Sequence, residues 1–128
     1  MSEPAPRYVV SYRDISLADL PRVGGKNASL GEMVCSLEPH GVAVPNGFAV
    51  TADAFRTTLS QAGLEEEIYG ALDRLDTGNL RELAQVGERI RERVRAAPLP
   101  GVVVEQVNAA YDALSQQYGQ HATDVAVR

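Results

Sequence analysis

Gly24-Gly25-Lys26-Asn27, followed by Leu30, Met33, Val34 and Leu37, is the stretch on which the fold turns. The four apolar residues recur at i, i+3, i+4 and i+7, the spacing that lines one face of a helix. A helix is therefore predicted over about 26–37, with two glycines and a lysine at its start. Pro39 disfavours the α conformation in the residue before it, so the helix should stop near Glu38.

Upstream, Arg7-Tyr8-Val9-Val10-Ser11-Tyr12 is rich in β-branched and aromatic residues and reads as a strand after a tail over 1–6. Downstream, Val44-Pro45-Asn46-Gly47 has the residues of a tight turn, with Pro presetting φ and Asn-Gly tolerating positive φ. It should launch a short strand, Phe48-Ala49-Val50. Thr51 is placed to cap the next helix through its hydroxyl, with Asp53 favourably set against the dipole, Phe55, Leu59 and Ala62 as buried stripe and Gly63 as stop.

Three further helices follow. One begins at Glu65-Glu66-Glu67 and carries Ile68, Ala71, Leu72 and Leu75. The next opens on Asn79 with Glu82 three residues on, the form of a capping box, and carries Leu80, Leu83, Ala84, Gly87, Ile90 and Val94 before stopping ahead of Pro98. The last follows Pro100-Gly101, with Val103, Val107, Ala110, Tyr111, Leu114 and Tyr118 on one face. Asp124-Val125-Ala126-Val127-Arg128 reads as the start of a strand. The string is β-α-β-α-α-α-α-β, an α/β (α+β) class with few short strands and about five helices.

The 128 residues are about one domain's worth, and the hydrophobic (45%) and charged (23%) fractions are those of a folding chain. A net charge of -5 argues against nucleic acid as a partner, because that affinity rests on clustered cations. No run is long and apolar enough to span a bilayer and the N-terminus lacks signal-peptide character, so no membrane partner is expected. The single Cys35 permits no internal disulfide, which fits a cytoplasmic setting; inside the first helix it reads as a small buried hydrophobe.

Lys26 is the only lysine among 12 basic residues. Glycines open the backbone to close approach, a helix start carries partial positive charge, and Lys26 adds a full one, so Gly24-Gly25-Lys26 suits phosphate. It is not a Walker A loop, which would need Gly at Leu20 and Ser or Thr at Asn27. On spacing alone, a glycine-containing helix cap with a solvated lysine is the better reading. Arg81, Arg89, Arg91, Arg93 and Arg95 alternate with Glu82, Glu88 and Glu92, which marks a solvated helix with ion pairs. His40 and His121 read as surface histidines, and neither has a ligand-spaced neighbour, so no metal site and no catalytic residue is assigned.

Val23-Gly24-Gly25-Lys26-Asn27-Ala28-Ser29-Leu30-Gly31-Glu32-Met33, followed by Val44-Pro45-Asn46-Gly47-Phe48-Ala49-Val50-Thr51-Ala52-Asp53-Ala54-Phe55, strongly resembles the start of the phosphoenolpyruvate synthase (pyruvate, water dikinase) family. The resemblance runs over essentially all of the chain, to Val125-Ala126-Val127-Arg128. Pyruvate phosphate dikinase and rifampicin phosphotransferase share the general pattern. The resemblance implies the N-terminal lobe of an ATP-grasp nucleotide-binding domain over 1–128, with ATP as cofactor. It makes Lys26 and Arg128 nucleotide contacts, with Gly24 and Gly25 as lesser ones. It further implies Mg²⁺ held by residues outside this chain, and pyruvate and a phosphorylated histidine on other domains of a parent enzyme. By itself the chain should be inactive, and should either self-associate or have a loose C-terminus. The rival expectation is a noncatalytic interaction module that retains the lobe, or a related phosphotransferase with another acceptor.

Overall fold

The computed structural model describes residues 6–128, so the expected tail lies almost wholly outside the described residues. Two strands, β1 (Val9–Ser11) and β2 (Phe48–Val50), pair antiparallel with Val9 opposite Val50, Val10 opposite Ala49 and Ser11 opposite Phe48. The ribbon is lengthened at both ends, by Thr51 N–H on the Tyr8 carbonyl (2.8 Å) and Tyr12 N–H on the Gly47 carbonyl (3.0 Å). The described residues also form five α-helices, with short 3-10 turns between some elements: α1 (Leu20–Leu37), α2 (Ala52–Gln61), α3 (Glu65–Asp73), α4 (Leu80–Ala96) and α5 (Gly101–Gln117). The mixed, helix-rich class expected from the sequence is the one observed.

The chain forms two compact units, 1–54 with 101–128, and 55–100. In the first, Val10, Ile15, Val23, Ala28 and Ala49 make one buried cluster, against which Tyr12 packs, and Tyr8, Ala54 and Val103 make a second. The side chain of Gln106 on α5 ties down the start of β1. Its Oε1 accepts from the N–H groups of Tyr8 (2.8 Å) and Val9 (3.2 Å), and its Nε2 donates to the Pro6 carbonyl (2.9 Å). In the second unit, Leu59, Leu64 and Ile68 form the core, with Ile90 and Val94 of α4 packed on it. Gly63 ends α2 at φ 66°, and Asn79 Oδ1 caps α4 by accepting from the Glu82 N–H (3.2 Å), both as the sequence indicates.

Several sequence expectations need correction. The buried face of α1 is Val23, Ala28, Gly31 and Val34, while Met33 is 45% exposed. The face is rotated because small residues permit close approach: a Cβ on Gly31 would stand 2.6 Å from Ile15. Phe55 is likewise 53% exposed; Leu59 is buried as expected, with Ala54 and Thr58 rather than Phe55 beside it. No tight turn forms at 44–47. The residue with positive φ is Gly41, and Gly47 is needed instead because a Cβ there would lie 2.8 Å from the Tyr12 ring.

Glu38 keeps helical dihedrals before Pro39, within a 3-10 turn at 38–40. The Thr51 hydroxyl is buried with no hydrogen-bond partner and does not cap α2; its backbone carbonyl accepts from the Ala54 N–H (3.1 Å). Cys35 is exposed, with its thiol 3.3 Å from the Arg13 carbonyl. The terminal strand is absent. Thr123 is anchored, its N–H on Ser115 Oγ (3.2 Å) and its carbonyl taking the Tyr111 hydroxyl (2.8 Å), but residues 124–128 have no regular structure.

Candidate functional site

The helix predicted to begin near Lys26 begins earlier, at Leu20, and is broken at Gly24. The connector before it contains a capping device: Asp19 Oδ2 accepts from the Ser16 N–H (3.0 Å) and hydroxyl (3.2 Å), and Ser16 Oγ accepts from the Ala18 N–H (3.3 Å). The Ser16 backbone bond, with Arg22 beside it, holds the Asp19 carboxyl below the usual carboxylate range. Pro21 then sits in the first turn, where a missing N–H costs nothing.

Gly24 has φ 80° and ψ 161°, a region essentially reserved for glycine. The helix therefore restarts after it, and a restarted helix presents a fresh N-terminus whose first N–H groups lack intrahelical acceptors. Gly25 and Lys26 occupy that first turn, and both are exposed. Gly25 has no positive φ, and a Cβ built on it meets nothing within 4 Å. Nothing among the described residues requires glycine there, and glycine costs about 1 kcal/mol against alanine in a helix. The Lys26 side chain has no ion pair or hydrogen bond among the described residues. The combination is an open, cationic helix start suited to an anion.

Asn27, which the sequence offered only as a neighbour of Lys26, braces this turn. Its Nδ2 donates to the Val23 carbonyl (2.8 Å), and its Oδ1 accepts from the Tyr12 hydroxyl (3.2 Å). The available signal was an amide side chain four residues after Val23, within reach of the carbonyl just ahead of the break.

Arg128 lies on the irregular 124–128 stretch, exposed and unpaired, so the described contacts do not join it to Lys26. His40 and His121 are both exposed, as the sequence suggested. No group of three His, Cys, Asp or Glu residues suited to a metal occurs among the described residues. A cleft of about 490 Å³ opens in the first unit between β1 and α5, lined by Arg7, Arg13, Asn46, Gln106 and Gln117 among others. It contains neither Lys26 nor Arg128. Its cations are already paired, Arg7 with Asp14 (2.6 Å) and Arg13 with Glu38 (3.3 Å), whereas Lys26 has no such partner among the described residues.

Sequence comparison matches residues 20–128 to the family described as pyruvate phosphate dikinase, AMP/ATP-binding domain. The chain belongs to that family. Gly24, Lys26 and Arg128 all fall within the matched span of this AMP/ATP-binding domain. The chain is also 43% identical to the phosphoenolpyruvate synthase of Neisseria meningitidis, over 97% of this chain and 16% of that protein. Identity is 45% with the Pseudomonas aeruginosa phosphoenolpyruvate synthase, over 94% of this chain and 15% of the relative. With the Escherichia coli phosphoenolpyruvate synthase it is 44%, over 84% and 14%. The chain thus spans about one-seventh of the length of the curated relatives it matches, at their N-terminal part. No helix among the described residues is long and apolar enough to cross a membrane.

Proposed function

We propose that this chain supplies one wall of the ATP site of an enzyme of the phosphoenolpyruvate synthase type, an ATP-grasp domain completed by polypeptide outside it. The helix start after Gly24 and the Lys26 ammonium hold ATP phosphates, Gly24 and Gly25 let them approach the backbone, and Arg128 brings a second cation. The observation that carries this reading is Gly25, an exposed glycine with open space above it beside an unpaired lysine.

In the whole enzyme, the β-phosphoryl group of ATP passes to a histidine and from there to pyruvate, while the γ-phosphate is released to water and AMP is left. The products are phosphoenolpyruvate, AMP and phosphate. This chain's share is binding and neutralisation, which is most of what phosphoryl transfer asks of a protein. His40 and His121 are not the phosphorylated residue in this scheme. Magnesium, which would neutralise phosphate charge, would be held by carboxylates elsewhere in the enzyme, since no three-ligand cluster occurs among the described residues. The free, exposed thiol of Cys35 suits a reducing, cytoplasmic setting.

The test is Lys26→Ala in the full-length polypeptide. Loss of one charge-assisted phosphate contact costs about 1.5–3 kcal/mol, so ATP affinity measured calorimetrically should fall about tenfold or more. Unchanged affinity would overturn the assignment.

A further inference from the structure

Asn27 is bonded at both ends of its amide, and each bond reaches a different part of the first unit. The Nδ2 group holds the Val23 carbonyl at 2.8 Å, immediately before the Gly24 break, and Oδ1 receives the Tyr12 hydroxyl at 3.2 Å. Tyr12 is itself held against Gly47: its N–H donates to the Gly47 carbonyl (3.0 Å), and its ring leaves no room for a Cβ there, the gap being 2.8 Å. A continuous set of contacts therefore runs from Gly47 through Tyr12 and Asn27 to Val23, linking the lead-in to β2 with the turn that carries Lys26.

Nothing crowds Gly24 into its unusual dihedrals, since a Cβ there meets no atom within 4 Å. The break is held by bonds on either side of it. We infer that Asn27 is a positioning residue for the anion-binding turn, fixing the Gly24 break so that the helix start and Lys26 stand ready for a phosphate, and that Tyr12 acts through Asn27. This rests on the nucleotide reading above and extends it to residues that do not touch the ligand. The gain is preorganisation: a turn ordered in advance pays less to bind.

The experiment compares Tyr12→Phe, Asn27→Ala, their double variant and Lys26→Ala in the full-length polypeptide. It measures the affinity for a non-hydrolysable ATP analogue, KM for ATP and for pyruvate, and Tm. One neutral hydrogen bond corresponds to about a fivefold change, so Tyr12→Phe should weaken the analogue about fivefold. Asn27→Ala, which loses both bonds, should weaken it about ten- to thirtyfold. The double variant should be no weaker than Asn27→Ala alone, because both act through one set of bonds. KM for ATP should rise while KM for pyruvate stays unchanged, a split that general destabilisation would not produce.

If Lys26→Ala weakens binding but Tyr12→Phe and Asn27→Ala do not, the positioning role is overturned and the phosphate site stands. If Lys26→Ala changes nothing, the nucleotide reading fails and this inference falls with it. Should Asn27→Ala not fold, Tyr12→Phe decides, and unchanged affinity or equal rises in both KM values overturns the role.

Discussion

Gly24 and Gly25 are adjacent, and the backbone asks opposite things of them. Gly24 sits at φ 80°, where an L side chain is strained even though the space around it is open. Gly24→Ala should cost about 1–3 kcal/mol of stability in denaturant titration and also weaken nucleotide binding. Gly25 has ordinary dihedrals and open space. Gly25→Ala should therefore stabilise the fold, by about 0.4–1 kcal/mol, while lowering ATP affinity, because the added methyl occupies the ligand's approach. Stability and affinity moving in opposite directions at one residue would be the signature of a binding glycine. Both glycines stand out in the sequence, but they cannot be told apart there: one is needed for a dihedral angle, the other for empty space.

Helix ends were more legible than helix faces. Gly63, Asn79 and Pro98 punctuate the chain through local chemistry, a positive φ, a cap or a missing N–H, and the helices end where these residues direct. Faces depend on what packs against them, so periodicity points Met33 and Phe55 inward while Ala28, Gly31 and Ala54 occupy the buried positions. The arginine-rich α4 behaves as charge alternation suggests, with one addition from tertiary structure. Arg91 pairs with Glu88 on its own helix (2.6 Å), but Arg93 reaches Glu67 on α3 (2.9 Å). Hydrogen bonds from Arg93 and Arg91 hold the Glu67 and Glu88 carboxyls below their usual range. Such groups bind fewer protons folded than unfolded, so their contribution is present above about pH 4.5 and lost as pH falls through the lowered values. Thermal unfolding should show a lower Tm at pH 3 than at pH 7. Glu67→Gln should flatten part of that slope, and added salt should reduce it, since the pairs are exposed.

For the whole molecule, the hydrogen-bonded part of the C-terminal segment ends at Thr123, whose N–H and carbonyl are both bonded. Beyond it Val127 is 91% exposed and the expected strand has no partner strand. Amide exchange should be slow through β1, β2 and α5 and fast at 124–128; protection extending through Val127 would contradict this. A strand is defined by its pairing, so sequence can supply its residues but not its ladder. The sequence by itself determined the class, both paired strands, the helix count and the family, because these rest on local propensity, periodicity and motif wording. Only the tertiary structure decided that the first helix breaks at Gly24 and that Tyr12, Asn27 and Gly47 converge on the break. Those contacts join residues 15 or more positions apart, and their geometry exists only once β1, α1 and the approach to β2 have packed together.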